Sequence, residues 1–144
     1  MLSANQEQRA SVDRVREEVT LYEAVGGESY FTALVERFYG EVATDDLLRP
    51  MYPGDLSGAE ERLRLFLMQY WGGPTTYSEE RGHPRLRMRH NPYRVDLAAR
   101  DAWLRCMITA LEADPPAEPM RSAMVEYFVR SADFMRNSEE SNGG

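Results

Sequence analysis

The sequence predicts an all-α fold. Three observations point there. Apolar residues recur at three- and four-residue spacing in one segment after another. Paired glycines and paired prolines separate those segments. The one stretch that alternates polar with apolar residues, Arg85 to His90, has no second strand to pair with.

Residues 1–19 are mostly polar, with Val12, Val15 and Val19 at helical spacing, and read as an N-terminal extension, partly helical or disordered. A short helix is expected around Leu21, Ala24 and Val25. Gly26-Gly27 stops it, because glycine takes the left-handed end conformation at little cost. The clearest helix follows, with Phe31, Leu34, Val35, Phe38, Tyr39 and Val42 on one face. Asp45 to Arg49 is expected to form a helical turn. Pro50 to Asp55 is a corner in which two prolines and a glycine block regular structure.

Ser57 with Glu60 reads as a capping box for the next helix. Its inner face is expected to hold Ala59, Leu63, Phe66, Leu67 and Tyr70, and Gly72-Gly73-Pro74 ends it. Residues 75–84 read as loop. Arg85 to His90 fits a strand by its alternation and a helix by the i, i+4 pair Leu86 and His90; a short helix is preferred, since a lone strand has no partner. Asp96 caps a long helix carrying Leu97, Leu104, Met107, Ile108 and Leu111, with Trp103 on or beside that face. Asp114-Pro115-Pro116 breaks the chain. A last helix carries Met120, Met124, Tyr127, Phe128, Ser131 and Met135, and residues 137–144 form a disordered tail. One domain, 20–136, accounts for the rest.

Composition narrows the function. The chain has 144 residues, enough for one domain with a sound core and room for a buried cofactor. Its net charge of -7 argues against nucleic acid, which demands concentrated positive charge. All 17 basic residues are arginine, so Schiff-base chemistry and a phosphate-loop lysine are excluded. Cys106 is the sole cysteine, which forbids an internal disulfide and favours a cytoplasmic location. It reads as a packed core thiol. The N-terminus lacks a signal pattern, and no apolar run approaches the roughly 20 residues that span a bilayer. Only two histidines, His83 and His90, offer an imidazole to a metal. His83 precedes Pro84 in a polar loop and suits a solvent-facing or capping role.

The order of several motifs carries a family likeness. They are Tyr22-Glu23-Ala24-Val25-Gly26-Gly27, Arg37-Phe38-Tyr39, Met51-Tyr52-Pro53 and Gly58-Ala59-Glu60-Glu61-Arg62-Leu63, followed by Tyr70-Trp71-Gly72-Gly73-Pro74 and Tyr77-Ser78-Glu79. Gly82-His83-Pro84 with Arg85 to His90, then Asp101-Ala102-Trp103-Leu104, complete them. In this order the chain resembles the truncated haemoglobins of group II, the O-type, within the globin superfamily. The resemblance covers about residues 20–136. It implies a truncated globin fold, a two-over-two helical sandwich around haem b (iron protoporphyrin IX), with the glycine pairs allowing sharp helix exits.

The site follows from the same resemblance. His90 is implied as the proximal iron ligand; read alone, it could equally be a surface or core histidine. Ala59 stands where ordinary globins carry a distal histidine, and a methyl group cannot donate a hydrogen bond. Tyr39, Tyr52 and Trp103 are implied as the distal donors. Without the likeness, Tyr39 is core, Tyr52 a corner plug and Trp103 a volume filler. Leu63 and Phe66 would line the distal side and keep water out. Leu86, Met88 and Met107 are haem-edge contacts or ordinary core. Arg62 and Tyr77 are the leading partners for the haem propionates, with Arg87 and Arg89 as further candidates among the five arginines of residues 81–94.

Three functions stay open at this point. One is haem redox chemistry on oxygen with nitric oxide or peroxide, as a nitric oxide dioxygenase or peroxidase-like enzyme fed by a separate reductase. Another is non-catalytic storage, scavenging or sensing of oxygen, nitric oxide or carbon monoxide. The third is a cofactor-free helical interaction module. The sequence leaves a homodimer open and gives no sign of a nucleic-acid or membrane partner.

Overall fold

In the computed structural model, residues 19–81 and 96–135 are described. The elements are α1 (Leu21–Val25), α2 (Gly27–Ala43), a 3-10 turn (Arg49–Met51), α3 (Ser57–Tyr70), α4 (Thr76–Arg81), α5 (Leu97–Glu112) and α6 (Met120–Met135). No strand occurs among the described residues. The expected short helix at Arg85 to His90, the N-terminal extension as far as residue 18 and the tail lie outside them.

Two helix pairs make the body. α2 packs on α3, α5 packs on α6, and α2 crosses α5 to join the pairs. The α5–α6 pair is antiparallel, because ion pairs close both ends. Arg100 near the start of α5 meets Asp133 near the end of α6, and Glu112 at the end of α5 meets Arg121 at the start of α6. Such exposed pairs each contribute about 0–1 kcal/mol, so they fix direction more than stability. Burial supplies the stability. All six residues of the α2 stripe, Phe31, Leu34, Val35, Phe38, Tyr39 and Val42, are buried. Arg37 leaves that stripe and donates from Nε to the Ala110 carbonyl, 2.8 Å away, where a cation suits the α5 C-terminus.

Several expectations need correction. The Ser57–Glu60 capping box does not form. Asp55 lies close enough to bind the Ser57 amide (3.0 Å) and hydroxyl (2.8 Å) with one carboxylate oxygen, so Ser57 becomes the first helical residue. A capping box does open α1, where Thr20 and Glu23 satisfy each other's amides. Residues 76–81 are helix rather than loop. Gln69 holds that short helix by accepting from the Ser78 amide and donating to its hydroxyl. Pro50 sits inside the 3-10 turn, because proline at an early helical position gives up a donor that had no partner there. Tyr70 is 49% exposed and stacks outward on Tyr127, so it is not an inner residue of α3; Met68 is. Leu97 is 38% exposed, and the buried side of α5 is made largely of Ala99, Ala102, Cys106 and Ala110 around Trp103.

The end of α3 shows why glycine is needed there. The Gly73 amide donates to the Met68 carbonyl at 2.7 Å. A Cβ on Gly73 would lie 2.8 Å from that oxygen and from the Tyr22 ring. Backbone cannot yield as a flexible side chain can, so Gly73→Ala is expected to destabilise by about 1–3 kcal/mol. Gly40, in mid α2, has nothing within 4 Å of an added Cβ. There alanine is expected to add about 0.5–1 kcal/mol. Thermal unfolding of both variants checks the contrast; equal shifts would refute it. No helix among the described residues is long and apolar enough to cross a membrane.

Candidate functional site

The site grows from three elements that reach the same place. α2 supplies Tyr39 and α5 supplies Trp103, both buried. The corner after the 3-10 turn supplies Tyr52, whose extended backbone (φ -120°, ψ 153°) turns it back toward them, half-buried. The Tyr39 and Tyr52 rings meet edge to face, with centroids 5.6 Å apart. Phe38 wedges against both Tyr39 (4.8 Å) and Trp103 (5.4 Å), again edge to face. Such pairs gain about 0.5–1.5 kcal/mol beyond burial and fix ring planes.

Polar tips make this cluster more than core. Burial pushes the Tyr52 phenol up to about 12, although the neighbouring Tyr39 hydroxyl and Trp103 indole oppose the rise. Tyr39 is held well above the ordinary phenol range, first by burial and then by Tyr52, with the Arg62 charge opposing. Both phenols therefore keep their protons throughout the neutral range.

α3 closes the place with apolar residues. Ala59 and Phe66 are buried, and Leu63 is half-buried against the same core. They share one face at i, i+4 and i+7. Phe66 meets the edge of Tyr77, which α4 buries to 3% exposure. Arg62 is half-buried, with Nη1 3.1 Å from where a Gly58 Cβ would stand. It has no ion-pair partner among the described residues, while its neighbour Arg64 pairs with Glu28. Met107 is fully buried core.

Tyr39, Trp103, Ala59, Phe66 and Tyr77 thus belong to one contiguous cluster, with Tyr52 and Leu63 packed on it and Arg62 close enough to bear on Tyr39. His90, Leu86 and Met88, together with His83, Arg87 and Arg89, lie outside the described residues. Cys106, expected as a packed core thiol, is buried; its proximity raises the Tyr52 phenol further, and burial pushes its own thiol up to about 11. Sequence reasoning overlooked Arg49, whose guanidinium binds the carbonyls of the Tyr52 corner. The signal for Arg49 was its place before a segment of prolines and glycine that cannot satisfy its own carbonyls. No group of three or more histidine, cysteine, aspartate or glutamate side chains is placed to hold a metal ion among the described residues.

The pattern that defines the bacterial-like globin family matches residues 20–137. The chain is 46% identical, over 120 residues, to the group 2 truncated hemoglobin YjbI of Bacillus subtilis, covering 83% of this chain and 90% of that protein. Among solved structures, the thermostable hemoglobin of Thermobifida fusca is similar with a TM-score of 0.80 and 58% identity, over 82% of this chain and 97% of that one. The hemoglobin of Chloroflexus aurantiacus is similar with a TM-score of 0.81 and 51% identity, over 83% of this chain and 98% of that one.

Proposed function

Because this chain belongs to the bacterial-like globin family, as a group II truncated haemoglobin, we propose that it binds haem b through His90 and holds oxygen tightly for redox chemistry with nitric oxide or peroxide. The residues present fit the group. A flat apolar macrocycle needs an apolar wall, which Ala59, Leu63 and Phe66 supply, and its propionates need a cation, for which half-buried Arg62 stands near. His90 would be the axial donor, its second ring nitrogen held by a nearby acceptor. Bound haem would supply an open coordination position for a diatomic gas.

The observation that carries the reading is the convergence of Tyr39, Tyr52 and Trp103 in a buried place lined otherwise by hydrocarbon. A phenol and an indole each present one polar hydrogen on a rigid ring, so the donors need little reordering when a guest arrives. Ala59 contributes none. The phenol protons stay in place through the neutral range, since both pKa values are raised. Donors of this kind retain a partly negative guest; they serve a protein that keeps its oxygen for reaction better than one that delivers it. Electrons for a repeated cycle would come from a separate reductase.

The experiment has two parts. The purified chain, supplied with haem, should show a sharp absorption at the blue edge of the visible spectrum. A stable protein that stays colourless would end the reading. Trp103→Phe removes one donor and should speed oxygen dissociation by roughly tenfold, as expected for a hydrogen bond to a partly charged acceptor. An unchanged rate in stopped-flow measurements would remove Trp103 from the site. Consumption of nitric oxide no faster than by free haem would replace redox turnover with storage, scavenging or sensing.

A further inference from the structure

We propose that Arg49 is a positioning residue for Tyr52, setting the direction of its hydroxyl and hence how long a gas ligand stays. The inference rests on the proposed role of Tyr52 as a donor.

The corner that carries Tyr52 cannot hold itself. Pro50 and Pro53 lack amide hydrogens, Gly54 adds freedom, and regular helix resumes only at Ser57. The carbonyls of residues 52, 53 and 54 therefore point where no helix or sheet partner exists. Arg49 meets all three. Its Nη1 donates to the Tyr52 carbonyl (3.3 Å) and the Pro53 carbonyl (2.9 Å), and its Nη2 donates to the Gly54 carbonyl (2.8 Å). The Tyr52 amide donates back to the Arg49 carbonyl at 3.2 Å. Arg49 and Tyr52 are thus joined through side chain and main chain together. Only a guanidinium has a fork of donors wide enough to bind three successive carbonyls at fixed angles.

The arginine is anchored in turn. Its amide donates to the Asp45 carbonyl at 2.8 Å. Asp45 accepts from the Leu47 and Leu48 amides with one carboxylate oxygen and from Arg105 Nη2 (2.6 Å) with the other. Arg105 lies on α5, two residues after Trp103. A chain of hydrogen bonds therefore connects the helix bearing the indole to the corner bearing the phenol. Arg49 has no carboxylate partner among the described residues, and its charge goes wholly to backbone. It is half-buried and its side chain binds the corner's carbonyls, so its loss is expected to loosen the corner and leave the fold.

The test compares the wild-type haem protein with Arg49→Met, Tyr52→Phe, the double variant and Arg49→Lys. Oxygen dissociation is followed by stopped flow. Arg49→Met is expected to speed release by roughly tenfold, and the double variant no more than Tyr52→Phe alone, as for two groups acting through one hydrogen bond. Arg49→Lys should recover part of the loss, with fewer carbonyls bound. A second readout does not depend on ligand binding: NMR titration of the Tyr52 phenol, assigned by its absence in Tyr52→Phe. It should fall from about 12 toward the ordinary value in Arg49→Met, as the ring reaches water. The inference is overturned if Arg49→Met leaves oxygen release and the Tyr52 titration unchanged while Tyr52→Phe speeds release, or if the two effects multiply. A silent Tyr52→Phe would instead overturn the donor role itself, and this inference with it.

Discussion

His90→Ala is expected to abolish the haem absorption, with His83→Ala leaving it intact. Other side chains that could hold iron would have to ionise first. A thiolate ligand requires an ionised cysteine, and burial pushes the Cys106 thiol up to about 11, so at neutral pH it stays protonated. A phenolate ligand requires an ionised tyrosine. Burial holds Tyr52 and Tyr127 at about 12 and Tyr39 well above the ordinary range, so those phenols stay neutral too. A neutral imidazole needs no such ionisation. The chain has two histidines, and the proposed ligand is His90, which the resemblance to the group II truncated haemoglobins implies. Absorption spectra of the two variants after equal exposure to haem give the answer. A full band in His90→Ala, or its loss in His83→Ala, would refute the assignment.

Phe38→Ala is expected to cost about 3–5 kcal/mol, the range for emptying an aromatic site in a packed core. Phe38 is fully buried, and its ring is the shared wedge between Tyr39 and Trp103. Removing it leaves a void where both donors lose their lateral support. Set against a total stability of about 5–15 kcal/mol for a domain, this is a large share. For a chain of this length each 1 kcal/mol shifts Tm by about 2–4 °C, so a fall on the order of 10 °C is expected. Phe38→Leu keeps most of the volume and should cost much less. Calorimetry of both variants decides it. A loss below about 1 kcal/mol for Phe38→Ala would mean that the core closes around the void.

The legible parts of the fold were those where one residue's preference and its neighbours' packing agree. The α2 stripe is unbroken from Phe31 to Val42, and every member is buried as its spacing predicts. Asp96 caps α5 through the Ala99 amide, as its place before the helix predicts. Ser57 failed as a cap because Asp55, two residues upstream, takes its amide and hydroxyl, and the Glu60 amide goes to the Leu56 carbonyl. α4 was illegible because Gln69, in another helix, holds it from outside. The inner face of α5 was underestimated because Ala99, Ala102 and Ala110 carry little hydrophobic signal yet allow helices to approach closely. The site divides in the same way. Tyr39 announces itself as a core position, but its place beside Tyr52, in the aromatic group with Trp103, shows only in the fold. Spacing cannot reveal that meeting, because the three residues come from separate elements; the family likeness supplied it. Arg49 was illegible because its partners are backbone carbonyls, which no residue type encodes.

The first described helix has a kinetic implication. α1 has five residues, far below the roughly 12–15 at which an isolated helix becomes marginal. Its hold on the rest is a clasp: the Tyr22 amide on the Trp71 carbonyl and the Tyr22 ring lying flat on Phe31. Both docking points come later in the sequence. The earliest of these elements to leave the ribosome must therefore wait for the bend at Gly72-Gly73, and order of synthesis and order of assembly run in opposite directions at this edge of the protein.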